Sequence, residues 1–207
     1  AWRMTTKPVE MNGPWRINAQ RQVFDNPWVT VVDHDVTHPD GSTGEYGVVS
    51  FKNLAIGILP IDEEGFTWLV GQHRFPLKQY SWELPEGGGP LGEAPLTSAK
   101  RELAEETGLV AGSWEELSSF AVSNSVTDER AVCFLAWDLK QGAPKPEGSE
   151  ALTIRRVSFS ALLEMVMSGE ITDSLTIVMV LTAYMKALRG AAPAPISKHI
   201  LEVSRQA

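Results

Sequence analysis

The stretch "LPEGGGPLGEAPLTSAKRELAEETGLV", residues 84–110, sets a glycine run before a segment with helical periodicity. Leu96, Ala99 and Leu103 recur at spacings of three and four, Pro95 suits a first helical turn, and Gly108 is a good terminator. The pattern predicts a helix over 95–107. On that helix Glu102 stands four residues from Glu106 and three from Glu105, so carboxylates share one face away from the apolar stripe. Arg101 is four residues from Glu105 and can pair with it. Like charges at this spacing repel by roughly 0.2–0.5 kcal/mol per pair, a cost that a wet surface tolerates. The glycines at 87–89 and 92 free the backbone to turn sharply and expose N–H and C=O groups. An irregular loop beside a rigid, carboxylate-bearing helix is the expectation. Hard divalent cations such as Mg²⁺ take oxygen ligands and leave room for substrate phosphates, so the cluster fits a diphosphate-cleaving site. The plainer alternative is a solvated helix face with ordinary ion pairs.

Outward from this stretch, strands dominate. "WVTVVDHDVTHPDGSTGEYGVVSF" (28–51) alternates around the turn "HPDG" and predicts a β-hairpin; "NLAIGILPIDEEGFTWLVGQHR" (53–74) predicts a second around "DEEG". "WEELSSFAVSNS" and "RAVCFLAWDL" read as two strands joined by "VTDE", and "LTIRRVSF" as another. "QGAPKPEGSE" (141–150) reads as a loop, "SALLEMVMSG" as a short helix, 173–189 as a longer one, and "GAAPAPIS" (190–197) as the start of a loosely specified tail. No repeats or heptads are present. The fold class is α+β, with a mixed sheet. An N-terminal β segment spans 1–50, a core domain 51–189 and a tail 190–207.

Composition sets bounds on function. The chain has 207 residues and a formal net charge of -8, which argues against a nucleic-acid polymer as partner, because phosphate backbones select basic surfaces. A small anionic ligand is compatible if a metal or a few arginines mask the charge. The single cysteine, Cys133, precludes an internal disulfide framework and fits a reducing compartment; within "AVCFLAW" it reads as a buried structural thiol. The longest apolar run, 175–185, is too short to span a bilayer, and the first residues hold no apolar segment of signal-peptide length. The expected location is cytoplasmic, with no membrane partner. The histidines (His34, His38, His73, His199) lack metal-site spacing and read as structural or surface residues.

Residues 87–109 resemble the Nudix box, G-x5-E-x7-R-E-U-x-E-E-x-G-U with U aliphatic, at every fixed position: Gly87, Glu93, Arg101, Glu102, Leu103, Glu105, Glu106, Gly108 and Leu109. A chance match at one start position is on the order of 10⁻⁹ to 10⁻¹⁰ at ordinary residue frequencies, which disfavours the solvated-face alternative. The resemblance implies the Nudix fold, a mixed sheet sandwiched by helices, and hydrolysis of a nucleoside diphosphate linked to another moiety. It makes Glu102 and Glu106 the principal metal ligands. Glu105 becomes a further ligand or the group that Arg101 orients, and the backbone carbonyl of Glu86 another ligand. Gly87, Glu93 and Gly108 hold the loop–helix geometry. The implied cofactor is Mg²⁺, with Mn²⁺ as the alternative.

"GQHRFPLKQYSWELPEGGG" (71–89) is similar to the Q-x-R-x-P...E-x-P-A-G run of the ADP-ribose and nucleotide-sugar pyrophosphatase branch, with Glu86 where alanine is usual. By this likeness Arg74 clamps a diphosphate, with a surface ion pair as the alternative, and Glu83 meets the nucleoside or ribose. "SNSVTDER" (123–130) resembles that branch's S-P-G-x-x-x-E loop. Glu129 matches the general base or extra metal ligand, Asp128 is second choice, and a hairpin-turn acid is the alternative. Asn124 replaces the proline that helps mark ADP-ribose hydrolases, which leaves other nucleotide sugars open. The segment 169–181 also resembles the branch. The likeness further implies a homodimer whose N-terminal strands complete the partner's site, with Trp28 or Trp15 stacking on a base, against core or interface packing. Expectation thus centres on Mg²⁺-dependent cleavage of ADP-ribose or a related nucleotide sugar. The alternatives are another diphosphate (a dinucleotide or diphosphoinositol compound) and a catalytically silent nucleotide sensor.

Overall fold

The computed structural model describes residues 10–142 and 152–202, so most of the expected 141–150 loop lies outside the described residues. The chain divides into two units. One comprises the residues up to Asn53 together with Ala121–Arg130; the other comprises Leu54–Phe120 and the chain from Ala131 onward.

The first unit is built on an antiparallel sheet in sequence order: β1 (Glu10–Asn12), β2 (Trp15–Asp25), β3 (Val29–Thr37) and β4 (Thr43–Phe51). The hairpin expected around "HPDG" is β3–β4, with Val29 opposite Phe51 and Thr37 opposite Thr43. Its turn closes through Gly41 N–H to the His38 carbonyl, and Gly41 takes the positive φ of 88° that a side chain resists.

In the second unit β5 (Asn53–Pro60), β8 (Glu86–Pro90), β9 (Leu109–Ala121) and β10 (Arg130–Gln141) form one sheet, in the order β8-β5-β10-β9. Strands β6 (Phe66–Arg74), β7 (Gln79–Glu83) and β11 (Thr153–Ser158) form another, in the order β11-β6-β7. The β5–β10 pairing is parallel, whereas β6 pairs antiparallel with both its neighbours. The hairpin expected over 53–74 is therefore not formed. The "DEEG" turn closes, with Asp62 capping the N–H groups of Glu64 and Phe66, yet the strands it joins enter different sheets. A turn signal is local, and the partner of each strand is chosen by burial on the faces of the sheet.

Helix α1 runs Pro95–Thr107, as the pattern predicts, and ends on Gly108 in the left-handed region at φ 72°. Its apolar stripe, Ala99 and Leu103, packs on Ile56 and Ile58 of β5 and on Phe134 of β10. Gly57, between those isoleucines, faces the other way. A Cβ there would stand 2.8 Å from the Met179 side chain of α3 (Ser174–Leu188), so helices cover both faces of β5. The sandwich the resemblance implies is thus present. Helix α2 (Phe159–Met167) starts on a Ser158 cap, with Ser158 accepting from Ala161 N–H.

Two expectations need correction. Residues 86–90, expected as an irregular loop, form strand β8, and the Gly89 backbone approaches so closely that a Cβ would meet Ile56 at 2.8 Å. The tail contains helix α4 (Ala194–Leu201), which buries Ile196 and Ile200, four residues apart on one face. Among the described residues no helix is long and apolar enough to cross a membrane. Cys133 is fully buried, and burial pushes its thiol up to about 12.

Candidate active site

The glycine strand and the helix that follows it are locked together by the acids that drew attention in the sequence. Gly87 has no space for a side chain: a Cβ would stand 2.2 Å from the Glu102 carboxyl carbon, so only glycine lets that carboxylate lie against the strand. Glu106, buried at 8% exposure, accepts the Glu86 backbone N–H at 3.0 Å. Arg101 reaches Glu102 at 2.8 Å and Glu105 at 2.9 Å, and donates to the Gly88 carbonyl at 2.8 Å. Glu93 accepts the Ser98 hydroxyl, tying the turn to the first part of α1. These contacts fix carboxylates, a glycine backbone and one guanidinium in a small region.

A second group of acids lies on the other side of Glu86 in the chain's connectivity. Arg74 Nε donates to both carboxylate oxygens of the buried Glu83 at 3.0 Å, and Nη2 bonds Glu83 and reaches Glu86 Oε1 at 2.6 Å. Carboxylate oxygens of Glu83, Glu86 and Asp173 all lie within 4.8 Å of one another. Asp173 is also the N-cap of α3, accepting Thr176 N–H at 2.7 Å, and the buried Thr176 hydroxyl oxygen accepts Leu84 N–H at 2.9 Å. The start of α3 is thereby fastened to the segment between β7 and β8.

Burial raises the Glu86 carboxyl well above the usual range, and the negative neighbours Asp173 and Glu83 push the same way against the pull of Arg74. The hydrogen bonds to Glu83 hold Arg74 more firmly charged than an ordinary arginine. Glu86 Oε2 is buried without a hydrogen-bond partner. The orphaned Glu86 oxygen and the surplus of carboxylates leave this region rich in hard oxygen donors. Glu86 joins it to the box through its N–H bond to Glu106, a donor set that suits a divalent cation.

Sequence reasoning assigns Arg74 and Glu83 to the substrate, with an ion pair as the alternative for Arg74, and in the structure Arg74 pairs with Glu83 and Glu86. It considered only the carbonyl of Glu86, whereas the side chain is drawn in as well. Asp173 and Thr176 were missed. "TDSLT" is legible as a helix start, but nothing in the sequence says that this cap meets Glu83, some ninety residues earlier.

Glu129 and Trp28 belong to the other unit. Glu129 is partly buried, and its carboxyl is raised by burial and by the neighbouring Asp128. Trp28 is 65% exposed, and Trp15 packs on His38 and Tyr46 with ring centroids 4.7 and 5.6 Å away.

Comparison with known proteins gives this geometry its context. The NUDIX domain family matches residues 51–173, more than half of the chain. The chain belongs to the Nudix family. Residues 15–49 match a second family, the nucleoside diphosphate sugar hydrolase N-terminal domain. The Nudix chain is 31% identical over 160 residues to the ADP-ribose pyrophosphatase of Bacillus subtilis (strain 168), covering 76% of this chain and 86% of that protein. It is 32% identical over 145 residues to the ADP-ribose pyrophosphatase of Mycobacterium tuberculosis (strain ATCC 25618 / H37Rv), covering 69% and 70% respectively. A solved structure described as an ADP compounds hydrolase superposes with a TM-score of 0.75 at 18% identity, covering 85% of this chain and 96% of that one, and corroborates the Nudix fold. With every box position intact and its acids assembled, the protein is a Nudix hydrolase.

Proposed function

We propose that this Nudix hydrolase cleaves the diphosphate of ADP-ribose or a closely related nucleoside-diphosphate sugar, releasing a nucleoside monophosphate and a sugar phosphate. The observation that carries the reading is the union of an intact box with a nucleoside diphosphate sugar hydrolase N-terminal match, together with relatives named ADP-ribose pyrophosphatase along most of the chain.

Glu102, Glu106 and the Glu86 carbonyl are the groups we assign to hold Mg²⁺ (or Mn²⁺), with Glu105 as a further ligand or as the partner that Arg101 orients. Bound there, the cation supplies a Lewis acid for phosphoryl oxygens and lowers the pKa of coordinated water. The residues do the rest. Glu106 keeps the β8 backbone in register through the Glu86 N–H. Arg101 neutralises Glu102 and Glu105 and holds them in one orientation. Gly87 clears the space that Glu102 occupies. Glu129 is assigned as the general base that takes a proton from the attacking water. Arg74 and Glu83 are assigned to the substrate, Arg74 by exchanging a carboxylate partner for a phosphate of similar geometry. Trp28 is assigned to stacking on the base, in a homodimer whose N-terminal strands complete the partner's site.

The test is AMP release from ADP-ribose with Mg²⁺, beside GDP-mannose, UDP-glucose, NADH and diadenosine polyphosphates. Preference for ADP-ribose supports the reading with Asn124 in place of the marker proline. Equal rates on all compounds refute the nucleotide-sugar preference. Removal of divalent cations by a chelator should abolish turnover and Mg²⁺ should restore it. Light scattering on the eluting protein checks the dimer.

A further inference from the structure

Glu129 closes a loop, residues 123–129, that is tethered by an identifiable set of hydrogen bonds, its own N–H donating to the Thr127 hydroxyl oxygen at 3.4 Å. The ends of the loop meet where Val122 N–H donates to the Glu129 carbonyl at 3.0 Å. Inside it, the Thr127 N–H and hydroxyl both donate to the Ser123 carbonyl, at 3.2 and 2.7 Å. The loop then docks along β4, the edge strand of its own sheet. Val49 N–H donates to the Val126 carbonyl at 2.9 Å, Asp128 N–H donates to the Val49 carbonyl at 3.3 Å, and Phe51 N–H donates to Asp128 Oδ1 at 2.8 Å. Val49 and Phe51 are two residues apart and present N–H groups on the same edge, so the loop occupies the edge as a further strand would. The Tyr46 hydroxyl adds one more bond, donating to the Ser125 carbonyl.

Packing does not replace these tethers. A cavity of about 440 Å³ is lined by Asn124, Ser125 and Thr127 of the loop and by Trp15, His34 and Tyr46 of the sheet. That cavity opens to solvent, so on this side the loop has room to shift if the tethers are cut. Asp128 is next to Glu129 in the chain, and the bond from Phe51 fixes its side chain as well as its backbone.

We infer that Tyr46 and Asp128 are positioning residues, which set the backbone from which Glu129 reaches the attacking water. The inference rests on the reading of Glu129 as the general base. A base works only within hydrogen-bond reach of the proton it takes, and misplacement by about 1 Å can cost on the order of 10²-fold in rate.

The experiment is a kinetic comparison of Y46F, D128A, D128N, E129Q and the double variant Y46F/E129Q, with Mg²⁺, on whichever compound of the substrate panel the wild type turns over fastest. E129Q should lose on the order of 10²–10⁴ in kcat. Y46F and D128A should each lower kcat about tenfold with KM within about twofold of wild type, because they move the base and leave substrate contacts alone. D128N should recover most of the D128A loss, since its amide oxygen still accepts from Phe51 N–H. In the E129Q background Y46F should have no further effect, the signature of two residues acting through one group. Thermal unfolding runs beside the kinetics, and Y46F, which loses only a hydroxyl, carries the test if D128A does not fold.

Wild-type kcat in both Y46F and D128A beside an impaired E129Q overturns the positioning role and leaves the base assignment standing. Wild-type kcat in E129Q overturns both. A full Y46F loss on top of E129Q, a change confined to KM, or a D128N as poor as D128A also overturns the inference, the last by making the Asp128 carboxylate itself the reactive group.

Discussion

Two arginines in the larger unit each serve two carboxylates, in different surroundings. Arg101 bridges Glu102 and Glu105 of α1, with 40% of its own side chain exposed and 12% and 25% of theirs. Arg74 bridges Glu83 and Glu86, whose side chains are only 4% and 14% exposed, and a third carboxylate, Asp173, closes in on the same group. Water and salt reach Arg101 and Glu105 in the first arrangement, so the worth of that pair lies in geometry more than in energy. The second is screened far less. Its three carboxylates outnumber its one guanidinium, and burial with the negative neighbours raises the Glu86 carboxyl well above the usual range. The same pair of residue types thus orients carboxylates on a helix in one place and leaves a surplus of buried negative charge in the other.

The largest test of this contrast is Glu106→Gln. It keeps the shape of a side chain that accepts the Glu86 N–H but removes a carboxylate charge from the site. Turnover should fall at least about a hundredfold while the urea midpoint stays near that of wild type. Unchanged activity would remove Glu106 from the metal assignment. Gly87→Ala comes next: its Cβ collides with Glu102, and kcat should fall by about tenfold or more, because the carboxylate must leave its place.

Stability then separates the two arginines. Arg74→Met strands Glu83 and Glu86 without their guanidinium and should cost about 2–4 kcal/mol in urea unfolding, a discount from fully buried pairs because Arg74 is itself a third exposed. Arg101→Met should cost less than about 1 kcal/mol and affect turnover more than stability. Equal losses would erase the distinction.

The smallest expected effect is a pH dependence. Glu86 is raised in the folded protein, so its contribution to stability is full below its unfolded value and is lost as pH rises through the folded one. Glu86→Gln, with divalent cations chelated, should match wild type in acid and become relatively more stable toward neutral pH. A difference that shrinks with rising pH would contradict the sign.

Where sequence was legible, the signal was periodic and locally punctuated. Helix α1 is bounded by Pro95 and Gly108 and striped by Ala99 and Leu103, and β3–β4 alternates about an Asp-Gly turn. Legibility failed where the deciding contact is distant. The Asp62–Gly65 turn does not reveal that β5 takes β10 as its partner, and the glycines of β8 hide a strand held extended by close approach to Ile56. In α4 the prolines and alanines mask the two isoleucines that anchor it. The site follows the same rule. The box residues announce themselves by spacing, whereas Asp173 and Thr176 enter it only through the fold that brings α3 to Leu84.

The buried thiol of Cys133 has a practical consequence for spectroscopy. It is the only cysteine in the chain, fully enclosed, and held protonated far above neutral pH. Maleimide and nitroxide reagents require an accessible thiolate, so the native protein should remain unlabelled until denatured. A cysteine introduced at Ser125 would then carry the sole probe without replacement of the natural one, and the mobility of that probe would report on the Glu129 loop during turnover.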